Sequence, residues 1–406
     1  MTYGFDTLQV HAGSRPDPAT GARQTPIYQT TAYVFRDADH AAALFNLQEV
    51  GFIYSRLTNP TVAVLQERIA ALEGGQGAIC CSSGHAAQIM ALFPLMGPGK
   101  NVVVSTRLYG GSITQFSQTI KRFGWEAKFV DIDDSDAVKA AIDDDTRAVF
   151  CETIANPGGH IADLKTLSGI ADAAGLPLIV DNTSATPYLC RPIEHGATLV
   201  VHSMTKYLTG NGTVTGGCVV DSGTFDWSAS DKFPSLSQPE PAYHGLKFHE
   251  TFGPLAFTFH GIAIGLRDLG MTLNPQAAHY TLMGIETLSL RMERHVDNGL
   301  ESSPYYDRIG QICPKGAGGL FTFALKGGYE ACVKLVDAVE VFSHVANLGD
   351  TRSLIIHSAS TTHRQLSPEQ QKAAGAAPEL VRLSIGIEDP ADLIADLDQA
   401  LTKACG

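Results

Sequence analysis

Two short stretches decide the fold of this chain: LPLIVDNT at residues 176–183 and TLVVHSMTKY at residues 198–207. Each is a continuous apolar run that ends abruptly in polar residues, which is typical of a strand covered on both faces. Helical patterns separate these runs from others of the same kind, and this alternation predicts an α/β fold with a large, mostly parallel sheet. The predicted strands span residues 101–105, 127–131, 146–152, 176–182, 198–203 and 216–221, and the helices between them span 112–123, 136–142 and 163–174.

The remainder of the chain indicates two further parts. Strands at 319–325 and 381–385, with helices at 329–341 and 390–404, predict a smaller C-terminal α+β domain. The N-terminal residues show few periodic apolar patterns and are interpreted as an arm. A chain of 406 residues is too long for one small core. We therefore divide it into an arm (1–60), an α/β domain (61–260) and a C-terminal domain (261–406).

Composition argues against several classes of function. The formal net charge is −13, and nucleic-acid binding requires a basic face. No apolar run has the length of a bilayer span and no secretory signal is visible, so we expect a cytoplasmic protein without a membrane partner. The eight cysteines form no C-x-x-C pair, which favours reduced, buried thiols over disulfides or a metal site.

Polar side chains follow two neighbouring strands of the predicted sheet. Asp181 ends one apolar run, and Lys206 lies just after the next, flanked by the hydroxyls of Ser203 and Thr205. Ligands of parallel α/β sheets bind at the carboxyl ends of the strands. We therefore expect this carboxylate and this amine to share one site.

These residue types suit pyridoxal phosphate (PLP). The cofactor requires a lysine amine, an anionic partner for its pyridine nitrogen and a site for its phosphate. Lys206 and Asp181 provide the first two. The segment SSGH at 82–85 precedes a predicted helix at 86–95, and N–H groups at a helix start bind anions.

Each of these features has a commoner explanation when taken alone. An aspartate at a strand end is usually a cap or turn residue, a lysine is usually solvated, and Ser-Ser-Gly usually caps a helix. Short motifs of this kind carry chemistry in about one case in ten. Their occurrence together, in chain order and at strand ends, makes the PLP site the better interpretation.

HSMTKY at 202–207, together with DNT at 181–183, resembles the Cys/Met-metabolism PLP enzymes of fold type I, from about residue 6 to residue 404. That family includes cystathionine γ-synthases, cystathionine and methionine γ-lyases, and O-acetylhomoserine sulfhydrylases. The resemblance implies an aspartate-aminotransferase-like large domain, a small C-terminal domain and an N-terminal arm that reaches a neighbouring subunit. It also implies a homotetramer, a dimer of dimers, with shared active sites.

The family's catalytic residues carry over one at a time. Lys206 matches the lysine that holds PLP as a Schiff base, and Asp181 matches the partner of the pyridine nitrogen. Tyr109, in RLYGG at 107–111, matches the tyrosine that stacks on the cofactor ring. Tyr54, in YSR at 54–56, and Tyr109 are the resemblance's candidates for assisting proton transfer.

The phosphate site is also implied by the resemblance. Gly84 and His85 match the backbone cup, and Ser203 and Thr205 match its hydroxyl donors. Arg56, with Tyr54, matches a pair that reaches the phosphate of the neighbouring subunit.

Three residues match the family's substrate site. Arg382, in VRLS at 381–384, matches the arginine that binds the substrate α-carboxylate, and it interrupts an apolar strand as a surface arginine would not. Arginine suits this role because its planar fork binds a carboxylate at two points. Ser353 lies in the segment that assists this arginine, and Asn156 matches the residue near the cofactor hydroxyl.

Within the family, the sulfhydrylase branch fits best. His85 stands where many relatives have methionine, and the segment 238–252 resembles the longer connection of that branch. Gly111 stands where methionine γ-lyases carry cysteine. The implied reaction is γ-replacement on O-acetyl-L-homoserine by sulfide or a thiol, giving L-homocysteine and acetate.

Other activities stay open at this stage. They are γ-elimination of the methionine or cystathionine γ-lyase type and the cystathionine γ-synthase reaction; the sequence does not decide between an acetyl and a succinyl ester. A PLP-binding module without turnover is disfavoured, because Lys206, Tyr109 and Arg382 occur together.

The chain departs from the family at one place in particular. A helical pattern ends near Asn298 and passes at once into residues 299–306, where the family has about 20 further residues at ordinary element lengths. Either the protein has lost this piece or the sequence omits it. Omission is favoured, since loss of a strand would expose a sheet edge and a core face.

Overall fold

The computed structural model describes residues 3–296 and 306–405. Its larger part is a seven-stranded sheet with the order β1-β7-β6-β5-β4-β2-β3. In this sheet β7 runs opposite to the other six strands, so the predicted mostly parallel sheet is confirmed. The strands are β1 (Gly77–Cys81), β2 (Asn101–Ser105), β3 (Glu126–Val130), β4 (Thr146–Glu152), β5 (Leu178–Asp181), β6 (Leu199–Ser203) and β7 (Gly217–Asp221).

Helices cover both faces of this sheet. Through the large domain they are α1 (Phe5–His11), α2 (Ala38–Phe45), α3 (Pro60–Glu73), α4 (Gly84–Leu92), α5 (Gly110–Thr114), α6 (Ser135–Ala141), α7 (Leu164–Ala173), α8 (Thr186–Leu189), α9 (Pro234–Ser237), α10 (Phe248–Phe252) and α11 (Ala256–His260). Short 3-10 and π segments extend them at Gln115–Thr119, Ile120–Phe123, Pro192–His195, Pro241–Tyr243, Gly253–Leu255 and Gly261–Leu269. The N-terminal arm therefore contains two short helices that the sequence did not predict.

The helix α3 shows how local sequence fixes an element. The side chain of Asn59 accepts a hydrogen bond from Thr61 N, and Pro60 occupies the first turn, where no N–H is needed. Gly74 ends the helix in the left-handed conformation at φ 80°, which costs glycine little.

Each face of the sheet has its own core. On the α3 face, Val180 of β5 and Val200 of β6 pack beneath α3; on the α4 face, Ile179 and Val201 pack beneath α4. Successive strand residues alternate between these faces. Two consecutive residues at the end of a strand therefore point to opposite faces of the sheet.

The cysteines follow this division. Cys80 and Cys81 of β1 belong to opposite cores, because adjacent strand residues point to opposite faces of the sheet. Seven of the eight cysteines are buried, and only Cys405 is exposed. Burial raises the pKa of the Cys81 thiol to about 12.

The C-terminal part is a smaller α+β unit, as predicted. Its sheet has the order β8-β11-β10-β9, and helices α15 and α17 pack against it. The sequence indicated β8 and β11 but missed β9 and β10, which are too short to show an alternating pattern. The strands are β8 (Leu320–Ala324), β9 (Ser343–His344), β10 (Leu354–Ile356) and β11 (Leu380–Ser384). The remaining helices are α12 (Pro275–Ile285), α13 (Leu288–Val296), α14 (Tyr306–Ile312), α15 (Gly328–Ala338), α16 (Pro368–Ala373) and α17 (Pro390–Cys405), with a 3-10 turn at Ser358–Ser360. Of these, α12, α13 and α14 contribute side chains to the α3-face core of the large sheet.

Two sequence-based expectations can be placed against these ranges. The expected gap of about 20 residues after Asn298 falls at 297–305, outside the described residues. None of the helices in the described ranges combines the length and apolar character that a bilayer crossing requires.

Candidate active site

One cavity lies at the carboxyl ends of the parallel strands, between the large sheet and the C-terminal part. It brings together residues from both, which the sequence placed far apart. Its lining includes Ser83, Gly84, His85, Gln88, Tyr109, Ser112, Glu152, Asn156, Asp181, Thr183, Ser203, Thr205, Lys206, Asn347, Thr362 and Arg382.

Lys206 projects into this cavity from the turn after β6. Its Nζ lies 2.5 Å from Asn347 Oδ1, and Asn347 belongs to the segment between β9 and β10. Burial, and then the charge of Arg382, lowers the pKa of the Lys206 amine to about 8. An amine of this kind is neutral in about one molecule in ten at pH 7, a far larger fraction than for a solvated lysine, and the neutral form is the one that acts as a nucleophile or proton acceptor.

Asp181 is held from two sides at the end of β5. Its Oδ1 accepts from Thr183 N at 3.0 Å, and its Oδ2 accepts from Gln88 Nε2 at 3.3 Å. Gln88 also donates to Ser112 Oγ at 2.9 Å. These contacts fix the carboxylate on the α4 face, facing the cavity.

Glu152 is a site residue that sequence reasoning missed. Its two carboxylate oxygens accept from Tyr109 N at 2.8 Å and from Asn156 N at 2.9 Å. Burial first, then the neighbouring Asp181, raises its pKa to about 8. Its place as the last residue of the predicted strand 146–152, matching the place of Asp181 at the end of its own apolar run, was the signal available in the sequence.

Tyr109 and His85 form one wall of the cavity. Their rings stack with centroids 5.9 Å apart and an interplanar angle of 29°. Burial lowers the pKa of His85, although Asp181 opposes this shift. A Cβ at Gly111 would lie 2.5 Å from Tyr109 Cε1 and 2.9 Å from His85 Cε1. The two rings can stack in this position because residue 111 has no side chain.

Arg382 enters the cavity from β11. Its Nη1 donates to Asn156 Oδ1 at 2.9 Å and its Nη2 donates to the Asn347 carbonyl at 2.6 Å. Its buried Nε has no hydrogen-bond partner among the described residues. A buried guanidinium with spare donors is suited to a carboxylate ligand.

The phosphate-binding candidates lie at the start of α4. Ser83 caps this helix by accepting a hydrogen bond from Ala86 N. The backbone N–H groups of Gly84 and His85 have no acceptor within the helix, because they belong to its first turn. A Cβ at Gly84 would lie 2.6 Å from Ser203 Cβ, which brings the helix start against β6. The Thr205 hydroxyl already bonds to the backbone of Gly216, with Oγ1 donating to its carbonyl at 3.3 Å and accepting from its N–H at 3.1 Å.

Three predicted site residues lie away from this cavity in the single chain. Arg56 donates to the Arg267 carbonyl and lies over the Tyr54 ring, 5.5 Å from its centroid. Ser353 Oγ donates to Glu388 Oε2 at 2.9 Å and accepts from Gly386 N at 2.9 Å. None of the three is among the described lining residues, whereas Asn347 of the same segment as Ser353 is.

Comparison with known proteins identifies the family. The Cys/Met metabolism PLP-dependent enzyme family matches residues 6–312 and 298–402 of this chain. The chain belongs to this family. These two matched ranges overlap where the sequence departs from the family's expected length.

Individual members of the Cys/Met-metabolism family are similar over nearly their whole length. O-acetyl-L-homoserine sulfhydrylase 1 of Thermus thermophilus is 48% identical, covering 98% of this chain and 99% of that protein. Homocysteine synthase of Schizosaccharomyces pombe is 46% identical, covering 98% of each. A crystal structure of a putative O-acetylhomoserine (thiol)-lyase from Campylobacter jejuni, which carries N'-pyridoxyl-lysine-5'-monophosphate, has a TM-score of 0.96 at 41% identity, covering 98% of this chain and all of that one.

The residues in the cavity fit the cofactor of this PLP-dependent family. A buried amine, a carboxylate held by two donors and a glycine-lined helix start converge on one space. These groups provide covalent attachment, an anion for a protonated pyridine nitrogen and N–H donors for phosphate.

Proposed function

We propose that this protein catalyses γ-replacement on O-acetyl-L-homoserine, with sulfide or a thiol as the nucleophile, to give L-homocysteine and acetate. The observation that carries the proposal is the meeting of Lys206 and Arg382 at Asn347, one through its side chain and the other through its carbonyl. An amino acid whose α-carboxylate binds Arg382 therefore presents its Cα beside Lys206. The names of the similar proteins support the same activity.

The roles of the residues follow from their positions. Bound PLP supplies the electron sink that stabilises negative charge on the substrate. Asp181 holds the pyridine proton, Arg382 orients the substrate, and Lys206 removes the α-proton and then a proton from the β-carbon. Acetate leaves from the γ-carbon, sulfide adds there, and Lys206 returns the protons. Tyr109 lies beside the same space and can assist a proton transfer.

Product analysis tests this function. Purified, PLP-loaded protein is incubated with O-acetyl-L-homoserine and sulfide, and homocysteine and acetate are quantified. O-succinylhomoserine, methionine and cystathionine serve as competing substrates in parallel reactions. We expect equal amounts of homocysteine and acetate. Formation of 2-oxobutanoate and ammonia in place of homocysteine would establish γ-elimination, since acetate is released in both reactions.

We further propose that the active site is completed by a second subunit of a homotetramer. The Tyr54 and Arg56 side chains lie outside their own chain's cavity, and Tyr54 is 41% exposed. At the proposed phosphate end, Gly84, Ser203 and Thr205 bring only neutral donors. An arginine from a neighbour would supply the positive charge that a phosphate favours. The cytoplasmic location expected from the sequence stays a prediction.

A further inference from the structure

A second row of polar side chains lies directly behind the active site. The register of β4 and β5 pairs Glu152 with Asp181, so the residues that follow them, Thr153 and Asn182, are also neighbours. His202 of β6 continues the same row beside Asn182. Because strand residues alternate, this row points to the α3 face while the site residues point to the α4 face.

A single chain of hydrogen bonds connects this row to α3. Thr153 Oγ1 donates to Asn182 Oδ1 at 2.8 Å, and Asn182 Nδ2 donates to Glu73 Oε1 at 2.9 Å. His202 Nε2 lies 2.5 Å from the same Glu73 oxygen. All four residues are 0% exposed. The last residue of α3 is thereby bonded to two strands directly and to a third through Asn182.

These four hydrogen-bonded side chains lie in apolar surroundings, where each polar group depends on the others for a hydrogen-bond partner. Glu73 is a carboxylate inside an apolar core that includes Cys80, Val180 and Cys218. A buried carboxylate that loses a donor is strongly disfavoured, because water cannot replace that donor. The strand ends therefore keep the spacing at which Glu73 retains both of its partners.

We propose that Glu73, His202, Asn182 and Thr153 are positioning residues for the active site. They fix the lateral spacing of the strand ends that carry Glu152, Asp181 and Lys206, and through that spacing the orientation of the PLP ring. Thr153, Asn182 and His202 each adjoin a site residue in the sequence and act through the backbone, and Glu73 holds two of them. None of the four is among the described lining residues of the cavity. The inference rests on the proposed roles of Asp181 and Lys206, but not on the identity of the substrate.

The test compares His202→Phe, which keeps a ring and removes the donor, with His202→Gln, which restores a donor. The visible circular dichroism of bound PLP, divided by its absorbance, reports the orientation of the cofactor without any substrate. We expect His202→Phe to bind PLP with a reduced signal, and kcat to fall about 10- to 100-fold, as for a displacement of about 1 Å. KM should change little, and His202→Gln should recover most of the signal and of kcat.

His260→Phe is the matched control, because His260 is a histidine buried in the core of the opposite face of the sheet, in contact with the Phe248 ring. It should leave the dichroism of bound PLP unchanged. A folded His202→Phe protein with the wild-type dichroism and kcat overturns the proposal. If His202→Phe does not fold, Thr153→Val decides in the same way, since it removes one hydroxyl at nearly constant volume. Because the dichroism is measured before any substrate is added, a wrong substrate assignment does not affect this result.

Discussion

Lys206 Nζ and Asn347 Oδ1 lie 2.5 Å apart although the two residues are separated by 141 positions in the chain. The bond crosses from the large sheet to the C-terminal part, and the carbonyl of Asn347 also accepts from Arg382. Asn347 therefore holds the Lys206 amine close to Arg382, where the proposed cofactor and substrate would meet.

The reactivity of Lys206 should depend on pH in a characteristic way. Burial lowers the pKa of its amine from 10.5 to about 8, so the neutral, nucleophilic form grows as pH rises through 8. We expect the rate at which cofactor-free protein combines with added PLP to rise with a midpoint near 8. Borohydride reduction followed by peptide mapping should place the label on Lys206; a label on another lysine would refute the assignment.

Asp181→Asn should reduce kcat by orders of magnitude while PLP still binds. The change preserves shape but removes the negative charge that keeps a proton on the pyridine nitrogen. Cofactor content and kcat are measured on the same preparation. Asp221→Asn is the matched control, since Asp221 is also buried at a strand end but lies outside the cavity. Near-normal kcat in Asp181→Asn would contradict the proposed role.

Replacement of Arg382 should act on substrate binding. Removing its guanidinium leaves the substrate carboxylate without its partner. In Arg382→Ala we expect kcat/KM to fall by a factor that corresponds to a loss of about 2–5 kcal/mol in transition-state stabilisation. Arg382→Lys keeps the charge but not the two-point geometry, so it should recover only part of the loss. Steady-state kinetics decide this, and unchanged values for Arg382→Ala would move the carboxylate site elsewhere.

Gly111→Ala tests the wall formed by Tyr109 and His85. The added Cβ would come within 3 Å of both rings, whose flexible ends move more readily than backbone. We expect a folded protein with a displaced Tyr109 and a loss in kcat on the order of tenfold. Gly169→Ala, in the exposed face of α7 with nothing within 4 Å, is the control. Equal kcat in the two variants would show that position 111 tolerates a side chain.

Complementation tests the shared site. Arg56→Ala and Lys206→Ala chains should each be nearly inactive, and mixing them under conditions of verified subunit exchange should restore activity. In a mixed dimer, one site would receive Arg56 from one chain and Lys206 from the other. If exchange occurs and no activity returns, Arg56 serves its own subunit.

The sequence predicted the large sheet well because its strands are buried on both faces and therefore appear as unbroken apolar runs. Strands 101–105 and 146–152 were predicted with the bounds that β2 and β4 have. Asp181 and Lys206 could be found for the same reason, since each follows such a run. By contrast, β9 and β10 have two and three residues, too few for any period to be visible.

The sequence analysis did not single out two other site residues. Asn347 lies in an irregular segment, and only the packing of the C-terminal part onto the large sheet brings it to Lys206. Glu152 ends an apolar strand as Asp181 does, but its carboxylate oxygens accept hydrogen bonds from the backbone N–H groups of Tyr109 and Asn156. Such contacts depend on tertiary structure, which local periodicity does not encode.

The burial of the cysteines has a consequence for an enzyme that is proposed to handle an aldehyde and a sulfur nucleophile together. The thiolate is the reactive form of cysteine, and the raised pKa of buried Cys81 keeps that thiol protonated. Cys151 lies next to Glu152 but points into the opposite core, where burial raises its pKa as well. Seven of the eight thiols are thus shielded from competing with the substrate for the carbonyl of the cofactor, and a thiol-alkylating reagent should reach only Cys405 in the folded state.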